Sequence, residues 1–171
     1  EISSLSSYVL ISLGRQPMAL TAAYRYLVLG TIGATFYLIG VGLLYQATGT
    51  LNIADLAVRV SELSDSRSVR AAFGFMTVGI GIKLALFPLH VWLPNAYAYA
   101  PSVSSAFLAA TATKVSIYVF IRVFYTIFGP AFSFETLPLD WVLLPLAIIA
   151  MFAGSVIAIF EVDVKRMLAY S

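Results

Sequence analysis

An all-α, polytopic transmembrane helix bundle is the fold class the sequence predicts, and three observations predict it. Of the 171 residues, 61% are apolar and only 11% charged, whereas a soluble domain carries about 25% charged residues. Apolar runs of the length a bilayer demands, about 20 residues, recur along the chain. Most of the charged residues gather in short polar segments between those runs.

The same composition excludes several classes of function. No cysteine occurs, which removes disulfides, thiolate catalysis and cysteine-ligated metals. One histidine and eight carboxylates, most of them in polar loops, leave no basis for a self-contained metal site. A net charge of +2 from scattered basic residues is no nucleic-acid footprint. No basic n-region with a small-residue cleavage site precedes the first apolar run, so no signal peptide is expected. The chain starts on Glu1 and stops at Ser171 inside what reads as a new helix, so a fragment of a longer protein is expected.

Residues 1–13 read as a partial helix, too short to cross a bilayer, closed by the turn residues Gly14 to Pro17. A span of about 18–48 follows, broken up by Gly30, Gly33, Gly40 and Gly42, which are expected to allow close helix packing. Polar residues then carry apolar ones at helical spacing over about 51–64, the pattern of an amphipathic segment at the membrane surface. The span at about 70–98 should be broken near Pro88, because proline lacks a backbone donor and clashes with the carbonyl of Leu84 four residues earlier. Irregular backbone at membrane depth is tolerated only beside protein or a wet cavity. Spans at about 102–128 and 139–160 complete the set, and a charged hinge leads into a partial helix at 162–171. Orientation stays open, because Arg15, Arg25, Lys165 and Arg166 at one side balance Arg59, Arg67, Arg70 and Arg122 at the other.

The chemistry is concentrated in two lysines. Lys83 and Lys114 each lie deep in an apolar span, and a lysine at the middle of a membrane helix costs roughly 2.5–3.5 kcal/mol. Packing gains nothing from such a residue, whereas ion or proton movement does. The alternative is an amine snorkelling to the headgroups, which needs a place near a helix end, and Lys83 fits that badly. Ser104, Thr111, Lys114, Tyr118 and Arg122 share one helix face by their spacing, and this polar stripe is expected to face the bundle interior. Thr and Ser bonded to their own backbone are the plainer reading of Ser104 and Thr111.

Burial weakens a lysine's hold on its proton and a nearby carboxylate strengthens it, so a lysine poised between the two can load and release. The acidic residue best placed to sit in a helix is Glu1, directly followed by an apolar run. His90, beside the proline turn, is a third titrating candidate. The run Gly79-Ile80-Gly81-Ile82-Lys83 lacks the spacing and the Ser or Thr of a phosphate loop.

The run from Lys83 through Phe87-Pro88-Leu89-His90-Val91-Trp92-Leu93-Pro94 to Asn95, with Ala100-Pro101-Ser102-Val103-Ser104 after it, resembles the signature of the antiporter-like proton-translocating membrane subunits. These belong to complex I, membrane-bound hydrogenases and multisubunit sodium/proton antiporters. Lys114 to Tyr118 with Arg122, and Asp163 to Ser171, resemble two further blocks in the same order. The resemblance implies a fragment of a bundle of inverted five-helix repeats, with Glu1, Lys83 and Lys114 as proton-transfer residues and Lys165 as a further relay position. Tyr118 and Thr111 join that relay set, and His90 is a branch. It also implies hetero-oligomeric membrane partners, protons or sodium as the transported ion, and no redox cofactor of its own. Asn95 and Tyr97, where many complex I relatives differ, make the chain more similar to the D-type component of the multisubunit sodium/proton antiporters, hence to a protein of the bacterial plasma (inner) membrane. A complex I or hydrogenase subunit is the alternative, a non-conducting membrane scaffold is the rival class, and a retinal-type Schiff-base protein is a third.

Overall fold

The computed structural model describes residues 2–170; Glu1 and Ser171 lie outside the described residues. The chain folds as α1 (Ile2–Ser12), α2 (Met18–Thr48), α3 (Ile53–Glu62), α4 (Arg67–Leu84), α5 (Trp92–Tyr99), α6 (Ser102–Ile121), α7 (Gly129–Ala131), α8 (Leu139–Phe160) and α9 (Val164–Tyr170), with no strand among the described residues. Four stretches, Met18–Thr48, Arg67–Tyr99, Ser102–Ile127 and Leu139–Phe160, are long and apolar enough to cross a membrane. The architecture is the all-α transmembrane bundle that the composition dictates.

Packing starts from glycine. A Cβ added to Gly79 would lie 2.6 Å from the carbonyl oxygen of Gly33 and 2.7 Å from the amide of Tyr37, and one added to Gly40 would meet the carbonyl of Ala72 at 3.0 Å. α2 and α4 therefore approach backbone to backbone, which small residues alone permit. Gly33 and Gly40 make the close contacts expected of them, whereas a Cβ on Gly42 would meet nothing within 4 Å. α2 ends at Gly49, whose φ of 73° and N–H bond to the Tyr45 carbonyl close the helix in the left-handed region.

Two apolar clusters flank the middle of the bundle. One gathers Leu44, Val60, Val69, Met76 and Phe124 around Phe73, whose ring stands edge-on to Phe124, Phe128 and Phe132 at 5.0, 5.0 and 5.6 Å. To complete it, α6 runs on into a π-helical turn over Arg122–Ile127, and the buried hydroxyl of Ser133 donates to the Phe124 carbonyl at 3.1 Å. The other cluster joins Ile11, Ala22, Ala23, Tyr26, Trp92, Leu93, Ala96 and Leu108. The amphipathic α3 buries Leu56 and Val60 and sends Arg59 to the last carbonyl of α2, Thr48 O, at 2.8 Å.

The broken span breaks earlier than proline alone requires. α4 stops at Leu84, and Ala85 sits at φ 58°. The amide of Leu86 bonds the Gly81 carbonyl at 2.8 Å and the amide of Ala85 bonds that of Ile82 at 3.2 Å, the paired bonds of a Schellman end. An alanine held in the left-handed region costs roughly 1–2 kcal/mol. Pro88 follows the cis Phe87–Pro88 bond, inside a turn that leads to α5. The last helical residue, Leu84, lies four residues before the proline because the helix end is closed by its own reversed residue.

Candidate functional site

Lys83 occupies the last turn of α4, one residue before the helix ends. The negative pole of a helix lies at its C-terminus and favours a cation there. Its amine donates to the hydroxyl of Ser4 on α1, and Ser4 is buried. The indole N–H of Trp92, at the start of α5, donates to the Ile82 carbonyl at 2.9 Å, and its ring packs edge-on against Tyr26 at 5.1 Å. The break in the span thus places an amine, a hydroxyl and a tied indole together at one depth.

Lys83 and Trp92 line a cavity of about 620 Å³ between α1, α2, α4, α5 and α6. Gly30, Gly33 and Gly79 supply its narrow backbone walls, and Ser3, Ser7, Thr111, Ser116 and Lys83 are among its polar groups. Most of the lining is apolar, so these few hydroxyls and the amine are the partners on which any water there would depend. Along α2 it lies between the two apolar clusters, since Tyr26 to Leu38 line it while Leu44 and Ala22 belong to the clusters on either side.

The remaining sequence-predicted residues are placed as follows. Thr111 faces the cavity and also bonds its own helix, donating to the Phe107 carbonyl at 2.8 Å. Lys114 does not line the cavity; it is exposed on the described chain and donates to the Ala109 carbonyl at 2.6 Å. Tyr118 and Arg122 are exposed beside it, so the polar stripe expected to face inward splits, with Ser104 buried and Thr111 half-buried but its lower part on the open surface. The physical reason is that α6 presents Thr111, Ala112, Val115, Ser116 and Val119 to the cavity, a face that leaves Lys114 on the flank. His90 stacks on Phe87 at 5.2 Å and meets the edge of Tyr170 at 6.1 Å; its buried Nδ1 has no hydrogen-bond partner among the described residues, and it does not line the cavity. Lys165 reaches back to the Ala100 carbonyl at the end of α5, 3.0 Å away. Glu1 lies outside the described residues. No group of three or more metal-ligating residues occurs among the described residues.

Ser4, Trp92 and Gly79 belong to the site and are not evident from motif reasoning. Gly79 is readable only as half of a helix contact, once Gly33 is known to face it. A tryptophan ten residues beyond Ile82 carries no sequence signal of the bond it makes.

A broken apolar span with a lysine beside the break, set against a cavity in a bundle of membrane-length helices, defines a polytopic membrane protein. Over residues 1–171 the chain matches the family described as NADH:quinone oxidoreductase/Mrp antiporter, transmembrane, and it belongs to that family. It is 49% identical over 100% of its length to NADH-quinone oxidoreductase subunit N of Desulforudis audaxviator. To the D-type component of the Na(+)/H(+) antiporter of Alkalihalophilus pseudofirmus it is 37% identical over 99%, and it covers 34% of each of these two relatives. Its fold superposes on a chain of the membrane-bound sulfane sulfur reductase, an archaeal respiratory membrane complex, with a TM-score of 0.84 at 31% identity, over 99% of this chain and 34% of that one. The chain spans about a third of the length of these relatives.

Proposed function

We propose that the chain carries protons across an energy-transducing membrane through a relay in which Glu1 and Lys83 form a switchable ion pair and Lys114 receives the proton. The observation that carries this reading is the amine of Lys83 beside a helix break, on the wall of a mainly apolar cavity that also holds the hydroxyls of Ser3, Ser7, Thr111 and Ser116. Breaking the ion pair lowers the proton affinity of Lys83, and the released proton crosses the cavity past Thr111 and Ser116, which line its α6 wall. Moving one charge against ~100 mV takes about 2.3 kcal/mol, and a hundredfold change in proton affinity supplies about 2.7 kcal/mol, within the range of buried lysines.

The exposed stripe of Lys114, Tyr118 and Arg122 is covered, in this proposal, by the remainder of the longer protein. A lysine left against lipid in the middle of the Ser102–Ile127 span would cost roughly 2.5–3.5 kcal/mol. Lys165 and His90 are secondary positions, since each is engaged away from the cavity. The host is a hetero-oligomeric membrane complex. Asn95 and Tyr97 favour a sodium/proton antiporter of the bacterial plasma membrane, whereas the 49% identity to an NADH-quinone oxidoreductase component favours the alternative, a proton-pumping subunit of NADH:quinone oxidoreductase.

The test uses the full-length protein in its assembled complex, reconstituted in liposomes. Lys83→Ala and Lys114→Met are each expected to abolish proton transport with assembly intact. Wild-type transport by an assembled Lys83→Ala complex overturns the relay, and wild-type transport by Lys114→Met turns the reading toward a scaffold. Sodium-dependent proton flux separates the antiporter host from its rival.

A further inference from the structure

The joint between α8 and α9 directs both of its basic side chains at the short half of the broken span. Asp163 fixes the first turn of α9, its carboxylate accepting from the amides of Lys165 at 2.8 Å and Arg166 at 3.2 Å. Lys165 donates to the Ala100 carbonyl, the end of α5, at 3.0 Å. The guanidinium of Arg166 donates to Asn95 Oδ1 at 2.6 Å and to the Tyr99 hydroxyl at 3.1 Å, lies 5.4 Å from the Tyr99 ring centre, and faces Glu161 at 3.8 Å. Asn95 and Tyr99 are four residues apart and share one face of α5, so a single planar cation grips both.

α5 needs such a grip. Eight residues fall well below the roughly 12–15 at which a helix begins to hold by itself. Its large buried side chains, Trp92 and Leu93, stand at its start, whereas its second half buries only Ala96 and Ala98, which interlock less with a neighbour. Its other end carries Trp92, bonded to the carbonyl that precedes Lys83 and lining the same cavity.

We infer that Arg166 is a positioning residue: by clamping Asn95 and Tyr99 it sets the orientation of α5, and through Trp92 the shape of the cavity at Lys83, so that a movement of the α8–α9 joint is transmitted to the proton-carrying amine. The inference rests on the relay reading above. Arginine suits the role because Nη2 donates to both Asn95 and Tyr99 while Nη1 faces Glu161, a planar three-way arrangement that the single amine of a lysine does not reproduce.

The test is proton transport as a function of pH by the full-length protein in its assembled complex, for Arg166→Ala, Arg166→Lys, Asn95→Ala and the Asn95→Ala/Arg166→Ala double variant. Arg166→Ala is expected to lower transport about tenfold and to move the pH of half-maximal transport by about one, the size of a tenfold change in proton affinity. Arg166→Lys restores part of both, and the double variant is no worse than Arg166→Ala, since one clamp is removed in each. A wild-type rate and profile in Arg166→Ala overturns the inference. So does a loss with an unmoved profile that adds to that of Asn95→Ala, the mark of a brace with no bearing on the lysine. Should Arg166→Ala fail to assemble, the profile of Arg166→Lys decides in the same way, a shift upholding the clamp and a wild-type profile overturning it. Lys83→Ala measured in parallel separates the two ideas: normal transport there removes the relay itself, while its loss beside a normal Arg166→Ala removes the clamp alone.

Discussion

The Phe73 cluster and the Lys83 cavity lie on the same two helices, α2 and α4, yet they solve opposite problems. Around Phe73 an apolar cluster closes in, and rings meet edge to face at 5.0–5.6 Å. At Lys83 a helix is broken, an alanine stands at φ 58°, and about 620 Å³ is left unfilled. Close packing holds the bundle together, and the strained, hollow region is where an ionisable group can change state. Strain of this kind persists only where the surrounding structure over-determines it, so the aromatic cluster and the glycine crossing are what permit the cavity.

That contrast predicts that substitutions separate into those that unsettle the fold and those that unsettle the site. The largest effect is expected at the crossing: Gly79→Leu puts a side chain where even a Cβ lies 2.6 Å from backbone, and assembled protein should fall below detection in membrane extracts. Phe73→Ala should lower stability in a thermal-unfolding assay by about 3–5 kcal/mol, with transport per assembled molecule unchanged. Trp92→Phe removes one hydrogen bond to the Ile82 carbonyl, worth about 1 kcal/mol, but frees the start of α5; transport should suffer more than stability. The smallest effect is expected for Thr111→Val, which loses a bond to its own helix. Its stability should be near wild type, and a slower transport rate would report its place on the cavity wall. A Phe73→Ala variant that is stable but transports poorly would erase the distinction between the two regions.

Much of the fold is legible in the sequence, because membrane spans announce themselves as apolar runs and a lysine inside one stands out by its cost. The broken span near Pro88 is legible for the same reason, since proline has a fixed backbone consequence. The place where the helix stops is not: Ala85 is an ordinary helix former, and nothing local reveals that Leu86 will bond back to Gly81. The site divides along the same line. Lys83 is visible as an anomaly, whereas Ser4, which it contacts from 79 residues away, and the Arg166 clamp on Asn95, 71 residues away, depend on tertiary pairing that no spacing rule reaches. The stripe on α6 shows the limit of periodicity, which groups Thr111 with Lys114 and Tyr118 on one side but does not say how much of that side a neighbour covers.

In the proposed relay Lys83 must give up its proton, beyond merely carrying charge. Arginine keeps the charge and the donors but does not deprotonate in proteins. The most direct measurement is therefore proton transport by the reconstituted full-length complex carrying Lys83→Arg. Normal assembly and no transport are expected; transport at the wild-type rate would show that the amine at position 83 need not deprotonate.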